Sequence, residues 1–153
     1  MTPAGENGHM RRALWQAKAA AARGEVPVGA VIVGPDGAVL AAAGNRTREL
    51  ADPTAHAEML AIREAAAAFG SERLIGCDLY VTLEPCAMCA AAISLARIRR
   101  LYFGAADPKG GGVFNGPRIF AQATCHHVPE VYDGIAETEA AALLKNFFRD
   151  RRE

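Results

Sequence analysis

The chain has 153 residues, 51% hydrophobic and 22% charged, with 17 basic side chains balanced by 17 acidic ones. This composition excludes a disordered segment, and the length suits one domain with a sizeable core. No apolar run approaches the eighteen or so residues of a membrane span, and zero formal net charge means that an anionic partner has to meet a local basic patch.

Taken in chain order, helical and extended patterns alternate. Residues 9–23, HMRRALWQAKAAAAR, are Ala-rich, contain no Gly or Pro, and stop at Gly24, which predicts a helix with a glycine C-terminal signal. VPVGAVIVG is β-branched and ends in Pro35-Asp36-Gly37; with AVLAAAG after it, the pair predicts a hairpin. A polar loop, NRTRELADP, leads to a second Ala-rich helix from about Thr54 to Phe69, closed by Gly70. CDLYVTL reads as a strand, Pro85 as the opening of a third helix, CAMCAAAISLA, and LYFGA as another strand. The loop DPKGGGVFNGP follows, then a short helix in RIFAQA, a short strand in VPEVYDG, and a last helix from about Ile135 to Arg151. No repeat or low-complexity linker interrupts this order, so residues 1–153 are expected to form one domain. Strands alternating with helices predict a three-layer α/β/α sandwich on a mixed sheet, antiparallel in the opening hairpin and parallel in the later strand–helix–strand units. The start MTPAGENGHMRRAL lacks the charged-then-apolar order of a signal peptide, so a cytoplasmic protein is expected, and metal binding or buried free thiols are the expected use of its four cysteines.

Two short stretches carry chemistry. TAHAE, residues 54–58, supplies His56 and Glu58, and PCAMC, residues 85–89, supplies Cys86 and Cys89. Zinc accepts imidazole and thiolate ligands, and a catalytic zinc keeps its fourth position for water. Cys86 and Cys89 are three apart at a helix start and share a face. Asp52 or Thr54 is the expected cap of the other helix, with Pro53 in its opening turn. All three ligands then lie at helix N-termini, whose partial positive charge favours thiolate. Glu58, about 200° around the helix from His56, points away from the ligand direction and is placed to exchange protons with water and substrate. Each piece has a plainer reading: a surface histidine, a redox Cys-x-x-Cys, a solvated glutamate. A structural zinc ribbon needs a second Cys pair, which the chain lacks, and a redox pair has no use for His-x-Glu. The joint pattern is the signature of zinc-dependent nucleobase deaminases.

The resemblance extends further. EVPVGAV at 25–31, GNRTRELADPTAHAE at 44–58, LYVTLEPCAMCAAAI at 79–93, RIRRLYFGA at 97–105 and LLKNFFRDRR at 143–152 resemble the bacterial tRNA-specific adenosine deaminases over nearly the whole chain. That resemblance implies a cytidine-deaminase-like fold with a five-stranded mixed sheet, one zinc per chain, a homodimer, and hydrolytic deamination of adenosine to inosine at the wobble position of tRNA anticodon stem-loops. It assigns His56, Cys86 and Cys89 to zinc, Glu58 to proton transfer, Asn45 to a hydrogen bond with the flipped base, and Pro27 and Val28 to the apolar wall against it. It places Asp107 beside a ribose hydroxyl and Lys109 near the RNA strand. Local readings stand beside these: Asn45 and Asp107 as turn residues, Val28 as a core position.

Residues 145–153 hold Lys145, Arg149, Arg151 and Arg152 against two acidic residues, around Phe147 and Phe148. Such a tail can bind phosphate and stack on bases, or pack as an amphipathic helix, one Phe serving each purpose. His126 and His127 stand where many relatives have Asn-His, which leaves their roles open; Cys77 and Cys125 are expected to be inert thiols. A deaminase of a free nucleobase or nucleoside would share the metal site and fold, and a non-catalytic zinc or RNA-binding module would not need Glu58.

Overall fold

The computed structural model describes residues 4–151, with side chains from residue 8 onward; Arg152 of the basic tail lies outside them. The helices are α1 (Ala4–Ala22), α2 (Ala57–Phe69), α3 (Ala87–Leu95) and α4 (Glu137–Asp150); the strands are β1 (Gly29–Val33), β2 (Val39–Gly44), β3 (Asp78–Leu83), β4 (Arg100–Ala105) and β5 (Glu130–Tyr132). The strands form one sheet in the order β2-β1-β3-β4-β5. β1 is antiparallel to both β2 and β3, whereas β3–β4 and β4–β5 are parallel. The expected mixed, five-stranded sheet is what forms.

β1 reads GAVIV with every residue buried, because it lies between β2 and β3 and carries a layer on each face. On one face α2 (Ala57, Ala61, Ala65) and α3 (Ala90, Ile93) cover Ala30, Ile32, Leu79, Val81, Leu101 and Phe103. On the other, Met10, Ala13 and Leu14 of α1 and Ala140 of α4 cover Val31, Tyr80 and Tyr102. The small residues of α1 let it sit close to the sheet. A Cβ on Gly29 would strike the Ala13 carbonyl and come within 2.7 Å of the Ala17 nitrogen, so only glycine fits there.

Three expected boundaries move. α1 begins at Ala4 rather than residue 9, since Gly5 and Gly8 weaken a helix without breaking it. α2 begins at Ala57 rather than Thr54. Asp52 does not cap it: the Asp52 carboxylate folds back onto Thr54, accepting from its N–H at 2.9 Å and its hydroxyl at 2.7 Å. Pro53 therefore lies in that turn, not in the helix. α3 begins at Ala87, so Pro85 ends the strand-to-helix link one residue before the N-cap instead of opening the helix. A 3₁₀ turn, Ile119–Ala121, stands where a short helix is expected.

Candidate active site

The corrected boundaries place two of the candidate ligands at equivalent positions. His56 is the N-cap residue of α2 (φ −72°, ψ 153°) and Cys86 that of α3 (φ −71°, ψ 176°), and neither side chain caps its own helix. Extended backbone at an N-cap turns the side chain off the helix axis; here both point to a common centre. His56 Nδ1 is 3.6 Å from Cys86 Sγ and 3.5 Å from Cys89 Sγ. Among the described residues these three are the one group of His, Cys and carboxylate donors clustered for a metal, all within 4.8 Å of one another.

The spacing fits zinc. Bonds of about 2.05 Å to nitrogen and 2.3 Å to sulfur at a tetrahedral angle put the two ligand atoms about 3.6 Å apart. The protonation chemistry points the same way. Hydrogen bonding from Cys89, with a further contribution from His56, pulls the Cys86 thiol down to about 4, while the same contact to Cys86 and then burial push Cys89 up. The hydrogen bond to Cys86 raises His56. The three donors crowd one another in hydrogen-bond contact, an arrangement in which a dication would take two thiolates and a neutral imidazole as its ligands.

Glu58 is 3% exposed, and its Oε1 is buried with no hydrogen-bond partner. Desolvation raises its carboxyl to about 7. A buried carboxylate oxygen left unpaired next to a metal-ligand cluster is a group waiting for a polar guest.

Asn45 is drawn into the same place. It is buried, its N–H donates to the Val28 carbonyl at 3.2 Å, and its Oδ1 accepts the Ala57 N–H at 2.7 Å. Asn45 thus supplies from another segment, through its Oδ1, the cap that His56 does not. Val28 is buried in the core cluster and Pro27 is buried beside it. Asp107 takes the turn role: its Oδ1 accepts the N–H groups of Lys109 (3.2 Å) and Gly110 (2.9 Å), with Lys109 exposed. Cys77 is buried, with burial raising its thiol, and Cys125 contacts Ser94 and the His127 carbonyl. His127 is structural, its Nε2 2.6 Å from the Ile98 carbonyl, and His126 is exposed.

The tail is not gathered into the centre. Phe147 is half-buried, edge-on to Phe148 at 5.4 Å, and carries the Arg151 guanidinium 4.4 Å over its ring; Phe148 is 48% exposed. Arg149 pairs loosely with Asp150 at 3.3 Å. Arg151 shares a cleft with Arg23, Arg48 and Glu49, beside the loop that follows Asn45.

Two residues of consequence were not singled out in the sequence. Glu25 and Glu84 are each 1% exposed. Glu25 accepts the N–H groups of Arg48 (3.1 Å) and Glu49 (2.8 Å), and Glu84 those of Asp107, Val113, Phe114 and Asn115. The available signal was a glutamate at the edge of an apolar strand segment and within two residues of a proline, in EVPV and in LEPC, where a solvated charge is out of place.

A mixed five-stranded sheet that brings two helix N-termini together around one His, two Cys and a buried Glu defines a zinc-dependent deaminase. Residues 5–105 match the family model described as the cytidine and deoxycytidylate deaminase zinc-binding region. The tRNA-specific adenosine deaminase of Agrobacterium fabrum is 64% identical over 143 residues, covering 94% of this chain and 93% of that one. A solved structure from studies of A-to-I editing by tRNA:A34 deaminases at the wobble position of transfer RNA superimposes with a TM-score of 0.88 at 64% identity, covering 90% of this chain and 99% of that one. The guanine deaminase of Bacillus subtilis is more distant, with a TM-score of 0.62 and 41% identity over 65% of this chain and 63% of its own. The chain belongs to the cytidine and deoxycytidylate deaminase family, on its tRNA-specific adenosine deaminase branch.

Proposed function

We propose that this protein hydrolyses adenosine to inosine, releasing ammonia, at the wobble position of tRNA anticodon stem-loops, and that residues 1–153 act as one deaminase domain in the cytoplasm. The observation that carries the deaminase reading is the buried Glu58 carboxylate, its Oε1 without a hydrogen-bond partner, beside the His56–Cys86–Cys89 donors. The substrate reading rests on the 64% identical relative, which matches along nearly its whole length.

His56, Cys86 and Cys89 would hold one zinc ion per chain, which would supply Lewis acidity toward a water molecule. The protein's own groups do the rest. Glu58 takes a proton from that water and returns one to the departing amino group. Asn45 Nδ2 donates to the base, and Pro27 and Val28 form the wall against it. Asp107 and Lys109 meet the neighbouring ribose and phosphate, and the tail with Phe147, Phe148 and Arg149 meets the flanking strand. No helix among the described residues is long and apolar enough to cross a membrane.

The inner face of α3 packs on its own sheet through Ala90 and Ile93, which leaves Leu95, 72% exposed, and Ala91 on a cleft with Ile119 and Cys125. This outer face is the one offered to a second copy in a homodimer. Light scattering at micromolar concentration is expected to give about twice 16.1 kDa.

The test of substrate is to incubate the protein with transcribed tRNAs bearing adenosine or guanosine at the wobble position and map inosine, while assaying ammonia from free guanine, cytosine and adenosine. Conversion only at wobble adenosine supports the proposal. Ammonia from a free base, with tRNA untouched, would favour the nucleobase reading that the guanine deaminase likeness supports.

A further inference from the structure

The loop DPKGGGVFNG, residues 107–116, follows β4 and carries two proposed RNA contacts, Asp107 and Lys109, yet has no regular secondary structure to hold it. Asp107 closes the first turn of the loop on its own side chain, and one side chain from outside the loop, Glu84, gathers both of its ends. Both oxygens of Glu84 are engaged by this loop. Oε1 accepts the Asp107 N–H at 3.0 Å and the Asn115 side-chain amide at 2.7 Å. Oε2 accepts three consecutive backbone N–H groups, from Val113 (3.1 Å), Phe114 (2.9 Å) and Asn115 (3.0 Å). Five donors on a carboxylate that is 1% exposed leave no acceptor site for an outside group.

Glu84 also lies two residues before the metal ligand Cys86, so the same clasp ties the loop to the metal site. The Gly112 N–H donates to the Pro85 carbonyl at 2.8 Å. The run of glycines records how tightly the pieces meet. A Cβ on Gly111 would lie 2.5 Å from the Glu84 carboxyl carbon, and one on Gly112 would lie 2.6 Å from the Ala87 nitrogen and 2.8 Å from the Cys86 carbonyl carbon. Neither position admits a side chain.

We propose that Glu84 is a positioning residue for the RNA substrate: its carboxylate clasps loop 107–115 against the Cys86 end of the metal site and sets where Asp107 and Lys109 meet the strand beside the reacting base. It touches neither metal nor base. The proposal rests on the tRNA reading above. The isosteric amide is the informative replacement, because Glu84→Gln must aim an NH₂ at groups that are themselves donors, three backbone N–H groups on one side or Asp107 N and the Asn115 amide on the other. Buried donors left without an acceptor are costly, so the Val113–Asn115 amides, which all point at Glu84, are expected to leave the clasp.

The test uses the full zinc-loaded protein and an anticodon stem-loop RNA with wobble adenosine. Zinc content, RNA affinity by fluorescence anisotropy, single-turnover rate at saturating RNA, and hydrogen exchange of residues 107–115 are measured for the parent, Glu84→Gln and Gly111→Ala. The second variant leaves the charge intact and drives a methyl group between the carboxylate and the Asp107 carbonyl, prising the loop from Glu84, so it remains informative if Glu84→Gln does not fold. The expected result is near-parental zinc, lost protection of the Val113–Asn115 amides, RNA affinity weakened by roughly tenfold or more, and a saturating rate within a few fold of the parent. RNA affinity unchanged despite exposed amides would reduce Glu84 to a stability element and overturn the proposal, as would loss of rate and zinc with affinity intact. A parent that neither binds nor converts the RNA would overturn the tRNA reading and the positioning role with it, an outcome separate from a parent that does both while its variants bind equally well.

Discussion

Asn45 divides one amide between two tasks. Its oxygen caps α2 through the Ala57 N–H, and its nitrogen is the proposed donor to the base. The tasks separate by substitution. Asn45→Asp keeps an acceptor for Ala57 and removes the donor, so it is expected to fold with thermal stability near the parent and to lose substrate affinity. Asn45→Ala removes both and is expected to lose in addition about 1 kcal/mol of stability in denaturant titrations without substrate, the usual cost of a lost cap. Equal stability of the two variants would show that the cap contributes nothing. Glu58→Ala tests the other buried group. It is expected to keep zinc and fold and to lose at least about 10²–10⁴-fold in turnover, the usual weight of a positioned proton carrier; near-parental turnover in single-turnover assays would remove Glu58 from the chemistry.

At the scale of elements, the strand-to-helix links carry the site and its pH response. Burial alone would raise Glu84, but the bonds from the Asp107 backbone, the Asn115 side chain and the neighbouring amides outweigh it and hold the carboxyl below its ordinary value. The folded state therefore favours the carboxylate. Its contribution to stability is full above the unfolded value of about 4.3 and fades as pH falls through the lower folded one. Urea titrations from pH 7 to pH 3 are expected to show the parent losing more stability on acidification than Glu84→Gln; parallel curves would contradict this. The helices and strands were legible because each follows a strong period or a β-branched run, as in VPVGAVIV and the Ala-rich α2. The metal donors were legible because zinc chemistry demands fixed residue types at fixed spacing. Helix starts were not, since His56 and Cys86 occupy N-cap places that local rules assign to Asp52, Thr54 or Pro85, and the cap of α2 comes from Asn45, eleven residues upstream of His56. Glu25 and Glu84 were illegible for the same reason: their partners lie more than twenty residues away, and no local pattern announces such a clasp.

For the whole molecule, the proposed RNA binding by a neutral chain turns on where the charges sit. Arg48 and Arg151 line one cleft near the tail, and Lys145, Arg149 and Arg152 extend it in sequence. Replacing Arg149, Arg151 and Arg152 together by Gln is expected to weaken tRNA binding regardless of sequence and to flatten the salt dependence of affinity by roughly 0.7–0.9 per lost phosphate contact. Zinc content and melting temperature should barely move, and unchanged binding at physiological salt would make the tail a packing helix. The position of the ligands reaches further than chemistry. Because His56 and Cys86 turn away from the helices they begin, a bound ion would tie those two helix starts, thirty residues apart, to each other, and its loss would leave them resting on the Asn45 cap and the Gly112–Pro85 hydrogen bond. Prolonged chelation is thus expected to open protease cleavage around residues 52–57 and 84–88 before the sheet melts, with an identical digestion pattern for metal-free and zinc-loaded protein as the contrary result. Zinc supply would then govern how long each molecule survives among proteases, and not only whether it turns over.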